Sequence, residues 1–298
     1  MKITFSAICL VAALAISNSP AWTQDGRQVL LRVDDIGMCH AVNMALLEVA
    51  ETGMPVSASV MFACPWYQEA VGVLKQHPQI TVGVHLTLNS EWRNYKWGPV
   101  AGRDRVPSLV DEHGYFVPSH GAFVEKNAVL AEVEIELRAQ IERALATGLD
   151  IKYVDAHMHT AWSTPELRTL TEKLAAEYKL GISGYFGEAY QSLFEAPVAE
   201  KSSALLGILA NAPSAKPTLV VIHIGQDSAE LSALFDMNNP IMNTTSGEPL
   251  MSKHRQAELS LLLSDAFRAA VKKDDIRLVN YGDLIAEKQL ASMARPAD

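Results

Sequence analysis

Cysteine and positive charge are both scarce in this chain. Its 298 residues include three cysteines, of which Cys9 lies in the N-terminal apolar run. Cys39 and Cys64 could form one disulfide in an oxidising compartment, or pack as free thiols beneath the first two strands. Lys and Arg total 25 against 34 Asp and Glu, for a formal net charge of -9. That sign argues against nucleic acid or an anionic membrane surface as a partner.

The chain also lacks long apolar runs after its N-terminal segment. No later segment approaches the roughly 20 apolar residues that a membrane-spanning helix requires. The first residues, MKITFSAICLVAALAISNSPA, combine Lys2, a short apolar run and small residues up to Ala21. This pattern is typical of a secretory signal peptide, and an uncleaved anchor is the alternative. We therefore expect residues 1–21 to be removed, leaving residues 22–298 as one periplasmic or secreted domain without a stable membrane anchor.

Strand-like runs alternate with segments of helical periodicity, and no internal repeat is visible. The clearest helix start is Ser163, Thr164 and Pro165 before Glu166. Repeated βα units predict an α/β fold with a mainly parallel sheet and helices outside, and seven units favour a closed or nearly closed barrel. A doubly wound open sheet is the competing architecture. The predicted strands lie near residues 28–34, 55–62, 80–88, 151–157, 179–186, 217–224 and 276–281.

Two long segments interrupt this alternation, residues 89–124 and residues 236–254. The first is rich in glycine, proline and aromatic residues. Long loops in a compact domain are usually functional or disordered, and each of these follows a strand that ends near a histidine. We expect both loops to lie over the active face.

Four predicted strands end in side chains that suit metal binding or proton transfer. Carboxylates and imidazoles are ligands of hard or borderline divalent cations, and they also act as general acids and bases. Because the carboxyl ends of parallel strands meet at one face, distant residues can surround a single point. The pattern predicts a metal-dependent hydrolase. The four runs are LLRVDDIG (30–37), VGVHL (82–86), YVDAHMH (153–159) and VVIHIG (220–225).

Each signal is modest alone. Adjacent carboxylates such as Asp34 and Asp35 can divide metal binding and proton transfer between them where the backbone turns, but an isolated pair is commonly a helix cap. A lone strand histidine, such as His85 or His223, is commonly a hydrogen-bonded core residue. Their joint occurrence at predicted strand ends favours the functional interpretation.

The DxHxH pattern is more specific. Asp155, His157 and His159 alternate with Ala156 and Met158, so we expect the three to project from one face of the same strand. Buried polar groups in such a row need a metal, a substrate or water to satisfy them. The remaining histidines are expected at the surface: His40, His77, His113, His120 and His254.

Aromatic residues in the first long loop could stack on sugar rings, because flat apolar faces with polar rims suit pyranoses. A loop anchored by its own aromatic cluster explains them equally well. These residues are Trp92, Tyr95, Trp97, Tyr115 and Phe116.

Taken in order, these segments resemble the YdjC-like carbohydrate deacetylases, a family of chitooligosaccharide deacetylases and hopanoid-associated relatives. VDDIG resembles the family's ADDFG. The segments VGVHLTL, PSLVDEHGYF, VDAHMH, the strand ending HIG, RQAEL and IRLVNYGDL follow in the expected order. The resemblance spans about residues 28 to 285.

The resemblance implies a distorted (β/α) barrel related to polysaccharide deacetylases, with one divalent metal ion that could be Zn, Mg, Mn or Co. The implied activity removes acetyl groups from N-acetylated amino sugars, so an acetylated saccharide is the expected partner. By matching motif positions, it implies the following roles: Asp35, His85 and His157 as metal ligands, Asp34 as catalytic base, His223 as general acid, and His159 as a substrate contact. Trp92, Tyr95 and Trp97 are further candidate substrate contacts.

The chain departs from the family pattern at several positions. Ile224 follows His223 where proline is usual, and the run GISGYFG lacks an arginine expected nearby. Arg32 and Ile36 flank the Asp pair where asparagine or alanine and phenylalanine are more usual. These departures leave the metal set intact and bear on the substrate, as does the leader, which favours an extracytoplasmic glycan.

Two other functions fit the same residues. An amidohydrolase-type barrel would use the pair His157 and His159 as obligatory metal ligands to cleave a lactone or a cyclic amide. A catalytically silent sugar-binding protein would bind its ligand without Asp34. The sequence leaves the sugar, its linkage and the oligomeric state open.

Overall fold

In the part of the chain that the structure describes, the sheet has eight strands, and the pairings between them are all parallel. The computed structural model describes residues 26–239, 243–244 and 247–296. The predicted signal peptide, residues 1–21, lies outside this part of the chain. The strands are β1 (Arg27–Ile36), β2 (Ser57–Val60), β3 (Thr81–Leu86), β4 (Ile151–Ala156), β5 (Gly181–Ile182), β6 (Ala189–Ser192), β7 (Thr218–Ile222) and β8 (Ile276–Val279).

The strand order is β5-β4-β3-β2-β1-β7-β6, with β8 also paired to β1. On β1, strand β7 pairs with Val29–Val33, β8 with Arg27–Leu30 and β2 with Arg32–Ile36. The segment of β1 paired to β7 therefore overlaps the segments paired to β8 and to β2. Because a strand has two edges, β8 and β2 must share the edge of β1 opposite β7. The sheet curls into a half-barrel whose edge strands are β5 and β6. The predicted distorted α/β barrel of about seven parallel strands is thus confirmed, although the barrel is not closed.

Helices follow most strands, as the alternating pattern predicts. Helix α5 begins where the Thr164 side chain accepts a hydrogen bond from Leu167 N and Pro165 occupies the first turn, so the predicted start is confirmed. The helices are α1 (His40–Glu51), α2 (Tyr67–Gln76), α3 (His120–Glu125), α4 (Leu130–Ala146), α5 (Pro165–Tyr178), α6 (Lys201–Ala210), α7 (Ala229–Ser232), α8 (Met251–Leu262), α9 (Asp265–Lys273) and α10 (Tyr281–Lys288).

Two apolar cores stabilise the half-barrel. The larger one joins the strands to the surrounding helices. The smaller one contains alternate strand residues, such as Leu30 of β1 and Leu219 and Val221 of β7, and lies inside the curled sheet. Gly83 is required there, because a Cβ at this position would come within 2.4 Å of the Tyr153 ring.

Helix α10 covers the amino ends of the strands. Tyr281 N donates to Ser57 Oγ at the start of β2, and Gly282 N donates to Thr81 Oγ1 at the start of β3. The carboxyl ends are therefore left for the site.

Three local features differ from the sequence expectations. Strand β5 covers only two residues of the predicted run 179–186, and β6 was not predicted. Strand β4 ends at Ala156, so the expectation that His159 projects from the same strand face as Asp155 is wrong. Cys39 and Cys64 are buried free thiols. Within the described ranges, no helix is long and apolar enough to cross a membrane.

Candidate metal centre and active-site cavity

Asp34 and Asp35 both reach the same cavity because β1 is irregular at its end. The β1–β2 register shifts between Val33 and Ile36, and Asp35 has a left-handed backbone with φ 63°. Residues other than glycine rarely adopt this conformation. Successive side chains of a regular strand point to opposite faces, so the left-handed backbone is what allows the Asp35 carboxylate to point into the same cavity as that of Asp34.

Three donor atoms converge at the buried end of the cavity. Asp35 Oδ1 lies 3.2 Å from His157 Nδ1 and 3.4 Å from His85 Nε2, and the two nitrogens are 3.2 Å apart. All three residues are at most 4% exposed. These side chains come from the ends of β1 and β3 and from the residue after β4.

The three donors suit a divalent cation. Bonds of about 2.0–2.1 Å to a tetrahedral ion place neighbouring ligand atoms about 3.3 Å apart, close to the separations seen here. Among the described residues, Asp35 Oδ1 is a buried oxygen without a hydrogen-bond partner. A cation would satisfy this oxygen and both imidazole nitrogens at once.

Carboxylates contact the outer nitrogen of each imidazole. Glu91 Oε2 lies 2.9 Å from His157 Nε2, and Asp155 Oδ2 lies 3.0 Å from His85 Nδ1. Burial opposes charge on both rings, but Asp155 and Asp34 raise the pKa of His85 to about 9. Glu91 and Asp35 likewise outweigh burial and raise the pKa of His157 to about 10. Such partners fix the ring orientation of metal-binding histidines.

The second oxygen of Asp35 is held by Arg255, whose side chain is 2% exposed. Burial favours the neutral acid, but the Arg255 guanidinium and the two imidazoles hold the pKa of Asp35 well below its usual range. The carboxylate is therefore kept ionised, with one oxygen turned toward the donor cluster.

Asp34 is held by a bidentate ion pair with Arg32, the residue two positions earlier on the same strand face. Arg32 Nε donates to Asp34 Oδ1 at 2.7 Å and the terminal nitrogen donates to Oδ2 at 2.6 Å. Arg32 Nε also lies 3.0 Å from Asp155 Oδ2. Asp34, His85 and Asp155 form a second cluster that could hold a cation, but Arg32 already neutralises both of its carboxylates. We therefore favour the first cluster.

His223 lines the same cavity just beyond β7. Its backbone N donates to Glu258 Oε2 at 2.6 Å, and Glu258 Oε1 accepts from Lys201 Nζ at 2.6 Å. Burial lowers the pKa of His223, although the nearby carboxylates of Asp35 and Asp34 oppose this shift.

The cavity measures about 570 Å³. Two walls rise from the donor cluster. One comes from the long segments, with Trp92, His120 and Asp236. The other comes from the turn after β4, from β6 and from the residues that follow β6, with His159, Tyr190 and Phe194. This size suits a small organic ligand largely enclosed by protein.

The model of the YdjC-like protein family matches residues 28–273. The chain belongs to the YdjC-like family. This confirms the resemblance.

Two curated relatives of this YdjC-like chain are named carbohydrate deacetylase. One, from Brevibacillus brevis, is 34% identical over 155 residues, covering 52% of this chain and 58% of the relative. The other, from Vibrio campbellii, is 24% identical over 270 residues, covering 89% of this chain and all of the relative. The match to the Brevibacillus relative thus spans little more than half of that protein's length.

A solved structure shares the fold. The crystal structure of a proposed cellobiose-phosphate cleavage protein from Enterococcus faecalis is 23% identical to this YdjC-like chain with a TM-score of 0.69. The similarity covers 87% of this chain and 99% of that one.

The candidate aromatic residues of the YdjC-like chain occupy different places. Trp92 lines the cavity and is 2% exposed. Trp97 packs edge-on against His157 at 6.0 Å, and its ring nitrogen donates to Asn89 O. Tyr95 donates its hydroxyl to Met38 O. The cavity lining does not include Trp97 or Tyr95.

Several residues around the donor cluster were not recognised in the sequence. Arg32 could have been found from its i, i+2 spacing to Asp34, whereas Glu91, Arg255 and Glu258 reach the site only through tertiary contacts. Among the histidines expected at the surface, His254 is instead 3% exposed, so the expectation is wrong for this residue. His120 is exposed as expected, and it also lines the cavity.

Proposed function

We propose that this protein is a metal-dependent deacetylase that removes acetyl groups from N-acetylated amino sugars in oligosaccharides or glycans. The observation that carries the proposal is the buried Asp35–His85–His157 donor cluster beside a second carboxylate, Asp34. The names of the YdjC-like relatives support the same reaction.

Asp35, His85 and His157 would hold the ion. A divalent metal at this position would polarise the acetyl carbonyl and lower the pKa of a water molecule. Two imidazoles and one carboxylate are a ligand set that leaves open positions for substrate and water. Zn, Mg, Mn and Co remain candidates, because all tolerate nitrogen and oxygen ligands.

Asp34 is the proposed base. Its carboxylate lines the cavity next to the ligand Asp35, and the two-point contact with Arg32 fixes its orientation. In the reaction, Asp34 accepts a proton from the attacking water as the water oxygen bonds to the acetyl carbon.

His223 is the proposed acid. Its backbone is fixed by Glu258. Burial lowers the pKa of the ring, so His223 must take up a proton before it acts, and the protonated ring then donates it readily. When the C–N bond breaks, the electron pair stays on nitrogen and His223 supplies the proton. The products are acetate and a free amino sugar.

The amidohydrolase alternative is less well supported. It requires His159 as a metal ligand, but within the described ranges the clusters able to hold an ion do not include His159. Its ring instead packs against Trp162 and Tyr190.

Metal analysis combined with an acetate-release assay tests the proposal. Purified protein should contain about one divalent ion and release acetate from an N-acetylated saccharide, and chelation should abolish the activity until metal is restored. Asp34→Asn should be inactive, whereas Asp227→Asn, at a surface ion pair with Lys253, should be normal. Acetate release that survives complete metal removal, or none from any acetylated saccharide, would overturn the proposal.

We also propose that residues 1–21 direct export to the periplasm or the medium. The pattern of Lys2, apolar run and small residues near Ala21 supports this proposal. Expression with the native N-terminus should yield an exported protein whose measured mass is that of a chain beginning at residue 22. A full-length product retained in the cytoplasm would contradict it.

A further inference from the structure

Hydrogen bonds connect the proposed base to residues deep inside the half-barrel. Arg32, which holds Asp34 through two of its nitrogens, donates from the third, Nη1, to Ser183 Oγ at 2.6 Å. The Ser183 hydroxyl lies 2.5 Å from that of Tyr281, and Tyr281 donates to Glu188 Oε1 at 2.9 Å. Three of these residues are at most 4% exposed: Arg32, Ser183 and Tyr281. We call Arg32, Ser183, Tyr281 and Glu188 the Arg32 network.

Glu188 sets the direction of the hydrogen bonds in the Arg32 network. An ionised carboxylate only accepts hydrogen bonds, and both oxygens of Glu188 already accept from backbone nitrogens, those of Gly184 at 3.0 Å and Phe186 at 2.7 Å. The Tyr281 hydroxyl therefore donates to Glu188, and its oxygen accepts from Ser183. The Ser183 oxygen is then left to accept from the guanidinium. Hydrogen bonds aligned in this way strengthen one another.

Packing fixes the Tyr281 side chain. Tyr281 is the first residue of α10, and a capping box between Asn280 and Asp283 fixes the start of that helix. The Tyr281 ring centroid lies 4.3 Å from that of Tyr153 and 6.2 Å from that of Phe186. A ring held by its helix and by two other rings has little freedom, so its hydroxyl is a fixed point in the network.

The contact between Arg32 and Ser183 joins two places where the chain departs from the family pattern. Arg32 stands where asparagine or alanine is more usual, and Ser183 lies in the run GISGYFG, which lacks an arginine expected nearby. Ser183 is the partner that the structure gives to Arg32 Nη1. Because a buried donor without a partner is destabilising, the orientation of the guanidinium depends on Ser183 as well as on Asp34.

We propose that Ser183, Tyr281 and Glu188 are positioning residues for the reaction. They orient the Arg32 guanidinium and, through it, the carboxylate of Asp34. The proposal rests on the deacetylase function proposed above. None of the three positioning residues lines the cavity, so they should affect proton removal from the attacking water and leave substrate binding to other residues.

Removal of one hydroxyl tests the network. Tyr281→Phe should lower kcat for acetate release about threefold to tenfold, the loss expected from one hydrogen bond, and should change KM less than twofold. The affinity for Zn²⁺, measured by competition with a chromogenic chelator, should also change less than twofold. Tyr185→Phe is the matched control and should leave kcat unchanged, because the Tyr185 hydroxyl donates to Glu172 at 2.7 Å, outside the network.

A double variant tests the order of the contacts. Ser183→Ala should also lower kcat, and Ser183→Ala/Tyr281→Phe should lose no more than Ser183→Ala alone, because Tyr281 acts through Ser183. Additive losses in the double variant, or an unchanged kcat in Tyr281→Phe, would overturn the proposal. A loss of Zn²⁺ affinity that matches the loss of kcat would also overturn it, because the effect would then lie on the donor cluster.

A measurement without substrate separates this proposal from the deacetylase function. In protein labelled with ¹⁵N at arginine, the buried Arg32 Nε–H should exchange slowly with solvent, and its resonance is assigned with Arg32→Lys. Tyr281→Phe and Ser183→Ala should each speed this exchange about threefold to tenfold, and Tyr185→Phe should not. Unchanged exchange in both variants would overturn the positioning of Arg32. Faster exchange in both, with no acetate release by wild-type protein, would count against the deacetylase function alone.

Discussion

Glu91 Oε2 lies 2.9 Å from Nε2 of His157, the ring nitrogen opposite the one that faces Asp35. The carboxylate therefore fixes the imidazole so that Nδ1 stays directed at the donor cluster. Both residues are at most 4% exposed, so water cannot readily replace this contact.

Glu91→Gln should weaken metal binding by about 10- to 100-fold, because the neutral amide orients the ring less strongly and lowers its basicity. Competition between the protein and a chromogenic chelator for Zn²⁺ measures the affinity. Glu69→Gln is the matched control, because Glu69 makes a similar 2.8 Å contact to His40 at the surface. An unchanged affinity in Glu91→Gln would show that Glu91 does not support the ligand.

Metal binding should be strongly pH-dependent. The raised pKa values of about 9 for His85 and about 10 for His157 mean that both rings carry protons at neutral pH before metal binds. A metal needs the neutral rings, so binding displaces these protons and affinity increases with pH until those values are passed. Each displaced proton contributes a factor of about ten per pH unit.

Calorimetric titration with Zn²⁺ in buffers of different ionisation enthalpy counts the protons released. We expect nearly two per metal at pH 7 and fewer as the pH approaches 10. Release of none at pH 7 would mean that both imidazoles are already neutral in the metal-free protein.

The acid and base roles predict different responses to the leaving group. His223→Ala should slow amide hydrolysis by about 10²- to 10⁴-fold, because the departing nitrogen needs a proton. It should affect an aryl acetate far less, because a phenolate leaves without one. Asp34→Asn should slow both, since both need an activated water. The hydrolysis rates of the amide and the aryl acetate are measured for each variant. An equal loss of rate on both substrates in His223→Ala would contradict an acid function.

The sequence predicted that these three donors lie close together, because Asp35 and His85 lie at the carboxyl ends of apolar strands and His157 directly follows one. In a parallel sheet with helical connections, the chain direction alone places Asp35, His85 and His157 at the same end. That inference needs no knowledge of side-chain positions. The residue types, a carboxylate and two imidazoles, suit a divalent cation.

The features that were missed depend on contacts distant in sequence. Asp155, His157 and His159 alternate like strand residues, but Asn89 fixes a left-handed turn that ends the alternation. Strand β6 has no apolar run, because it is a short edge strand that is largely exposed. Neither local periodicity nor spacing reports these constraints.

Lys201 and Glu258 form a buried ion pair behind His223, with side chains at most 2% exposed. Removing one charge leaves the other uncompensated in the interior, which costs about 3–5 kcal/mol. Lys201→Met should therefore lower the free energy of unfolding by roughly that amount, measured by urea denaturation. Lys253→Met, at a 60% exposed lysine paired with Asp227, should cost less than about 1 kcal/mol.

The double variant Lys201→Met/Glu258→Gln identifies the cause of the loss. Glutamine carries no charge, so the buried penalty is removed, and its amide oxygen can still accept the hydrogen bond from His223 N. We expect the double variant to recover much of the stability lost in Lys201→Met. Recovery would assign the loss to the unpaired carboxylate, whereas a double variant as unstable as Lys201→Met would assign it to the packing of the lysine stem between α6 and α8.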